Sequence, residues 1–207
     1  MLRGTVTFKG TPPDPEEVPG ARCHSGAAAT TFAPVVVSDA GGLKDVMVYV
    51  KDAGPVEAGG SPPAPTVLDQ VNCQYVPHVV GVRTGQVLRV TSSDPTLHNV
   101  HTLSVDNPAV NFGMTGAGQH RDLTFDMPER FAVKCDVHPW MRAYVYVFDH
   151  PYFAATDGHG RYEIKGLPPG EHTLVFSHPF LGDRERRVTV RDDQPTEVSL
   201  TFEKARQ

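Results

Sequence analysis

The chain predicts an all-β protein built as two sandwiches, and three observations carry that prediction. Alternating or β-branched runs recur along the whole of its 207 residues. Nineteen Gly and 19 Pro punctuate them at short spacing, as the turns of a sandwich require. No stretch sustains a 3.6-residue apolar period; the best candidates for helical turns, 13–20 and 107–118, fall short of one. At this length two domains can each bury a core of their own.

The strand runs fall at 4–9, 45–51, 78–83, 86–91, 121–126, 130–135 and 143–149, and again at 161–165, 172–177, 186–191 and 196–202. Between Asp52 and Pro65 the sequence is dominated by Gly, Pro and Ala. It cannot hold a strand ladder, because Pro lacks the amide donor and Gly loses too much entropy on ordering. This stretch reads as a linker or long loop that separates an N-terminal β segment from the middle of the chain.

Charge narrows the partners. Nineteen basic against 24 acidic residues give a formal net charge of -5, which argues against the basic stripe of a nucleic-acid surface. No apolar run approaches the roughly 18 residues of a membrane span, so none is expected. The opening residues, Met1 to Phe8, alternate as a strand does and lack the apolar core of an export signal. The chain is therefore either cytosolic or given without such a signal.

After Phe148 the sequence Thr156-Asp157-Gly158-His159-Gly160-Arg161-Tyr162-Glu163-Ile164 leads through Leu167-Pro168-Pro169-Gly170 to His172-Thr173-Leu174. An Asp-Gly turn, an alternating strand, a Pro-Pro-Gly turn and a second strand form a compact hairpin pattern. It resembles the carboxypeptidase-regulatory-like, transthyretin-type β-sandwich. That resemblance implies opening strands like Gly4 to Phe8 and Val46 to Val50, which here lie far upstream. One sandwich split across 1–60 and 150–207, with a second domain at 66–149 inserted into it, satisfies both. Insertion is mild because closure entropy grows only with the logarithm of loop length. The alternative is that the N-terminal strands join the middle domain.

In that middle segment Cys135, His138 and Met141 stand at three-residue intervals, with Pro139 and Trp140 filling the last gap. Thiolate, imidazole and a weak axial thioether describe a blue-copper electron-transfer site, provided a second His arrives from elsewhere. A strand pair, 79–82 and 87–90, joined at Thr84-Gly85, precedes His98-Asn99-Val100-His101. The two pieces together, in this order, resemble the cupredoxins and within them the amicyanin type, over approximately residues 66–149. The resemblance implies a Greek-key cupredoxin sandwich and one mononuclear type 1 copper. Its ligands would be His98, Cys135, His138 and Met141. Asn99 would tie the two ligand segments together beside the thiolate. Pro139 and Trp140 would form an apolar docking rim around an exposed His138, unless Trp140 packs inward.

Other assignments stay open at this level. If Cys135 serves a metal, Cys23 and Cys73 are left as a candidate disulfide, the state favoured in exported proteins, with two buried thiols as the equal alternative. Zinc would accept Cys and His but not Met. His101 lies three residues from His98, on the other face of an extended strand. Met114 and Met127 could serve as the axial ligand only if Met141 faced away. No His-Glu-x-x-His, Gly-x-Ser-x-Gly or phosphate loop marks an enzyme. The expected function is single-electron transfer between a redox donor protein and an acceptor protein, in the periplasm or outside the cell. A copper carrier or store and a structural β-module are the competing readings.

Overall fold

The structure, a computed structural model, describes residues 1–23, 29–54, 63–192 and 194–203, all in strands, turns and loops. In chain order the strands begin with β1 (Leu2–Lys9), β2 (Glu16–Arg22), β3 (Ala29–Phe32), β4 (Met47–Val50), β5 (Thr66–Val71) and β6 (Gln74–Val76). There follow β7 (Val79–Arg83), β8 (Leu88–Ser92), β9 (His98–Thr102), β10 (Asn111–Met114), β11 (His120–Leu123), β12 (Glu129–Lys134) and β13 (Arg142–Phe148). The last are β14 (Phe153–Ala155), β15 (Arg161–Ile164), β16 (Gly170–His178), β17 (Gly182–Val190), β18 (Thr196–Glu197) and β19 (Leu200–Glu203). The stretches 13–20 and 107–118 hold no helix among the described residues; they contribute to β2 and β10.

Two compact units result. The first gathers Met1–Asp14, Ala33–Val56 and His150–Gln207; the second gathers Pro15–Phe32 and Glu57–Asp149. Pro15–Phe32 therefore departs from the expected 1–60 segment. The cause is covalent: Cys23 is disulfide-bonded to Cys73, with 5.2 Å between the Cα atoms, and Gln74 Nε2 donates to Thr31 O. Of the Pro- and Gly-rich linker, residues 55–62 lie outside the described residues.

In the first unit β1 runs antiparallel to β15, pairing Leu2 with Ile164, and parallel to β18 and β19. The other sheet has the order β14-β4-β16-β17. Leu2, Val6, Ile164 and Phe202 from one sheet meet Val48, Val50, Leu174 and Phe176 from the other in a single apolar core. Each such side chain contributes roughly 1.5–3 kcal/mol by leaving water.

The Asp-Gly turn closes this sandwich. Asp157 Oδ1 accepts from the backbone N–H of His159 and Arg161, and Gly160 N donates to Asp157 O. Gly160 has φ 75° and sits against the backbone of Val6 and Leu43, so a Cβ there meets backbone atoms of both.

The second unit is a sandwich of sheets ordered β10-β9-β12-β13-β7 and β11-β8-β5-β6, beside the β2-β3 ribbon. Parallel pairs, β13 with β7 and β5 with β8, sit among antiparallel ones. Alternation sorts the side chains: Phe131, Val133 and Cys135 point inward along one row, as do Met141, Ala143, Val145 and Val147 along the next. At the start of β12 the Glu129 carboxylate accepts from the backbone N–H of Val105 and Asn107 and from the Asn107 amide. Partial burial pushes its pKa up, but these donors outweigh that and hold it below the ordinary value.

Two outcomes follow for stability. Gly160→Ala lowers stability by about 2 kcal/mol or more, since it combines left-handed strain with a backbone clash. Gly158→Ala, at a position open to space, stays within about 0.5 kcal/mol; denaturant titration of both variants checks the contrast. Glu129→Gln costs about 1 kcal/mol at neutral pH. Because the folded pKa of Glu129 is depressed, its stabilisation is complete above the unfolded value, about 4.3. That stabilisation fades as pH falls through the folded pKa, so the gap between variant and wild type narrows in acid melts.

Candidate metal centre

Strand register brings the site together. β9 runs antiparallel to β12, with Val133 opposite Thr102 and Lys134 opposite His101. One step further along, the end of β12 delivers Cys135 and its turn to the start of β9, where His98 stands. His98, Val100 and Thr102 are the buried positions of β9, while Asn99 and His101 face outward. His101 accordingly leaves the site, and its Nδ1 pairs with Asp136 at 2.9 Å.

The ligand atoms of His98, Cys135 and His138 lie within 4.8 Å of one another. His98 Nδ1 is 3.1 Å from His138 Nδ1, and Cys135 Sγ is 3.7 Å from His138 Nδ1. The same edge of each ring thus faces the sulfur. Met141, 1% exposed, belongs to the same buried cluster as Cys135. Its backbone closes the loop: Cys135 N donates to Met141 O at 3.1 Å, and Met141 N donates to His138 O at 2.9 Å. Met127 is 53% exposed, and the sulfur of Met114 accepts from Gln70 Nε2 at 2.9 Å.

Electrostatics favour an anionic sulfur. Burial pushes the Cys135 thiol up, but the His98 ring and the backbone N–H groups of Asn99, His138 and Val137 hold it below its ordinary value. Asn99 N and His138 N each donate to Sγ at 3.3 Å. Burial pulls the pKa of His98 down, yet its bonds to Cys135 and Asp94 raise it overall. His138 is lowered by burial and by the neighbouring His98 charge. Two imidazoles, a sulfur whose surroundings favour its anionic form, and a buried thioether fit a soft cation.

Asn99 joins the two segments with its side chain. Its Oδ1 accepts from Asp136 N at 3.1 Å, and its Nδ2 donates to Asn111 Oδ1. Tyr75 Oη donates to Asn99 O at 2.6 Å.

The surroundings differ from the expected exposed edge. His138 is half-buried, because Cys73 Sγ lies 3.7 Å from its Nε2 and the Trp140 ring centroid is 5.1 Å away. Trp140 is itself half-buried, packed on the core, with its indole N–H donating to Cys73 O at 3.2 Å; Pro139 remains exposed.

Sequence reasoning did not single out Asp94. Its Oδ2 accepts from His98 Nε2 at 2.8 Å and from Cys73 N at 2.9 Å, and its Oδ1 accepts from Asn72 N at 2.7 Å. Since a carboxylate only accepts, His98 carries its proton on Nε2 and turns Nδ1 toward the sulfur. The one available signal was an acidic residue four positions before a His, in a Ser-Asp-Pro run that reads as a plain turn.

Asp94→Asn removes the charge that gathers three donors, and it sets an amide N–H against them. Unit stability falls by about 2 kcal/mol, measured by thermal melting followed at Trp140.

Comparison with known proteins gives partial matches. The model of the carboxypeptidase regulatory-like domain matches residues 138–203. No curated protein matches. Among solved structures, a reduced single-site variant of amicyanin is similar over 48% of this chain and 97% of its own, at 24% identity and TM-score 0.38. Amicyanin from Paracoccus versutus aligns over 48% of this chain and 96% of its own, at 23% identity and TM-score 0.36. A Cu-containing nitrite reductase from Thermus scotoductus SA-01 aligns over 46% of this chain but only 25% of its own, at 23% identity and TM-score 0.38.

Proposed function

We propose that the second unit is a type 1 copper electron carrier, with His98, Cys135, His138 and Met141 as ligands. The observation that supports it most strongly is the meeting of two Nδ1 atoms and one hydrogen-bonded sulfur within 4.8 Å. Copper bound there supplies one-electron chemistry. A thiolate, two imidazoles and a weak thioether tolerate both of its oxidation states, so little rearrangement accompanies transfer.

The residues of this chain hold that arrangement in place. Asn99 N and His138 N stabilise the thiolate charge, Asp94 fixes the His98 tautomer, and Asn99 Oδ1 locks the turn after Cys135. Met141 and Cys135 lie in the apolar core, which keeps water from the sulfur. Leu97 and Val137, each 46% exposed, flank the two imidazole residues in sequence, and Pro139 is exposed beside them. They make an apolar rim for brief docking of a redox donor protein and an acceptor protein. The disulfide supports placement in an oxidising compartment, the periplasm or the cell exterior.

Addition of Cu(II) to the purified protein gives an intense visible thiolate-to-copper band, and Cys135→Ser abolishes it. Reversible one-electron cycling with the metal retained distinguishes a carrier of electrons from a carrier of copper. Absence of the band in the wild type overturns the reading.

A further inference from the structure

His98 has two ring edges, and each faces a different set of donors. Nδ1 is directed at Cys135 and His138. On the Nε2 side stand Cys23, Cys73 and Asp94, whose ligand atoms lie with that of His98 within 4.8 Å of one another, all four residues buried. Of this second group, Asp94 also holds the His98 ring in the site proposed above, while the two sulfurs are not among that site's ligands.

Cys23 Sγ lies 3.2 Å from Asp94 Oδ2. In the disulfide neither sulfur carries a proton, so at this contact two groups with only lone pairs face each other. In the dithiol state Cys23 S–H donates to that carboxylate. The surroundings thus offer the reduced pair a hydrogen bond that the oxidised pair cannot make. The frame does not depend on the bond alone: Cys73 N donates to Asp94 Oδ2, Trp140 Nε1 donates to Cys73 O, and Gln74 Nε2 donates to Thr31 O. With the bond open, these contacts keep the turn carrying Cys73 beside Asp94 and the ribbon carrying Cys23 beside that turn.

The geometry points to a second, redox-gated metal site in which Cys23 and Cys73, once reduced, bind Cu(I) beside Asp94. A dithiol reductant supplies two electrons and two protons; the S–S bond breaks, two thiols form, and the reductant leaves as its own disulfide. Cu(I) then displaces the two thiol protons and is held by two thiolates, its oxidation state unchanged. Soft thiolates select Cu(I) over the harder cations, and the disulfide form offers it no thiolate. Since His98 Nε2 is engaged with Asp94, the two sulfurs carry the binding.

The chain has three Cys, so Cys135→Ser leaves Cys23 and Cys73 as the sole source of thiols and isolates the question. That variant is reduced with a phosphine, freed of it without oxygen, and titrated with Cu(I) against a chromophoric Cu(I) chelator. The expected result is one Cu(I) per chain in the reduced protein. That uptake is lost when the same protein is kept oxidised or carries Cys23→Ser as well. Equal uptake by both redox forms, no uptake by either, or preference for Zn(II) over Cu(I) overturns the proposal. So does a Trp140 emission spectrum showing that reduction unfolds the unit. Failure here leaves the visible band of the Cys135 protein untouched, and absence of that band leaves this titration untouched.

Discussion

The antiparallel register between β9 and β12 decides the rest of the centre. With Lys134 opposite His101, the inward row of one strand ends in Cys135 and that of the other begins with His98. A shift of one residue would turn both outward, because side chains alternate with a period of two. The apolar side chains behind them, Val100, Phe131 and Val133, make that shift costly. Core packing and site geometry are therefore one constraint: the residues that stabilise the sandwich also set the register that gathers the donors.

A second constraint works from the other side. Asn72 and Cys73 both have φ 53°, a left-handed conformation that side chains rarely adopt. Both amides are thereby turned to the Asp94 carboxylate, which also takes the proton of His98. One buried anion thus couples the β5-β6 turn, the disulfide and the His98 ring. Such a hub is held by three donors meeting on one carboxylate, and it responds as a whole when one of them changes.

Much of the chemistry was legible because it is local. The spacing of Cys135, His138 and Met141, the Asp157 turn and the strand alternation all express themselves within a few residues. The all-β architecture followed from the same short-range signals. What was not legible depends on long-range pairing. Apart from Cys23 itself, nothing in Glu16–Phe32 announces that its ribbon joins the second unit; the bond from Cys23 to a residue 50 positions away and the Gln74–Thr31 hydrogen bond hold it there. The covering of His138 by Cys73 has the same origin, since residues 65 positions apart meet there. Asp94 was obscured because a carboxylate before Pro is ordinary turn chemistry.

The division of the first unit has a consequence for the order of synthesis. Apart from a bridge between Thr7 and Gly42, β1 finds its partners at Ile164, Thr196 and Leu200, so most of its ladder must wait while the chain between is made. Every strand of the second unit leaves the ribosome before β15, the first strand that pairs with β1. Domains generally fold as units in the order they emerge. The second unit can thus acquire its core and its donor cluster while the first is still an open pair of ends in sequence. The donor cluster is in that sense the older part of each molecule, and the split sandwich closes last.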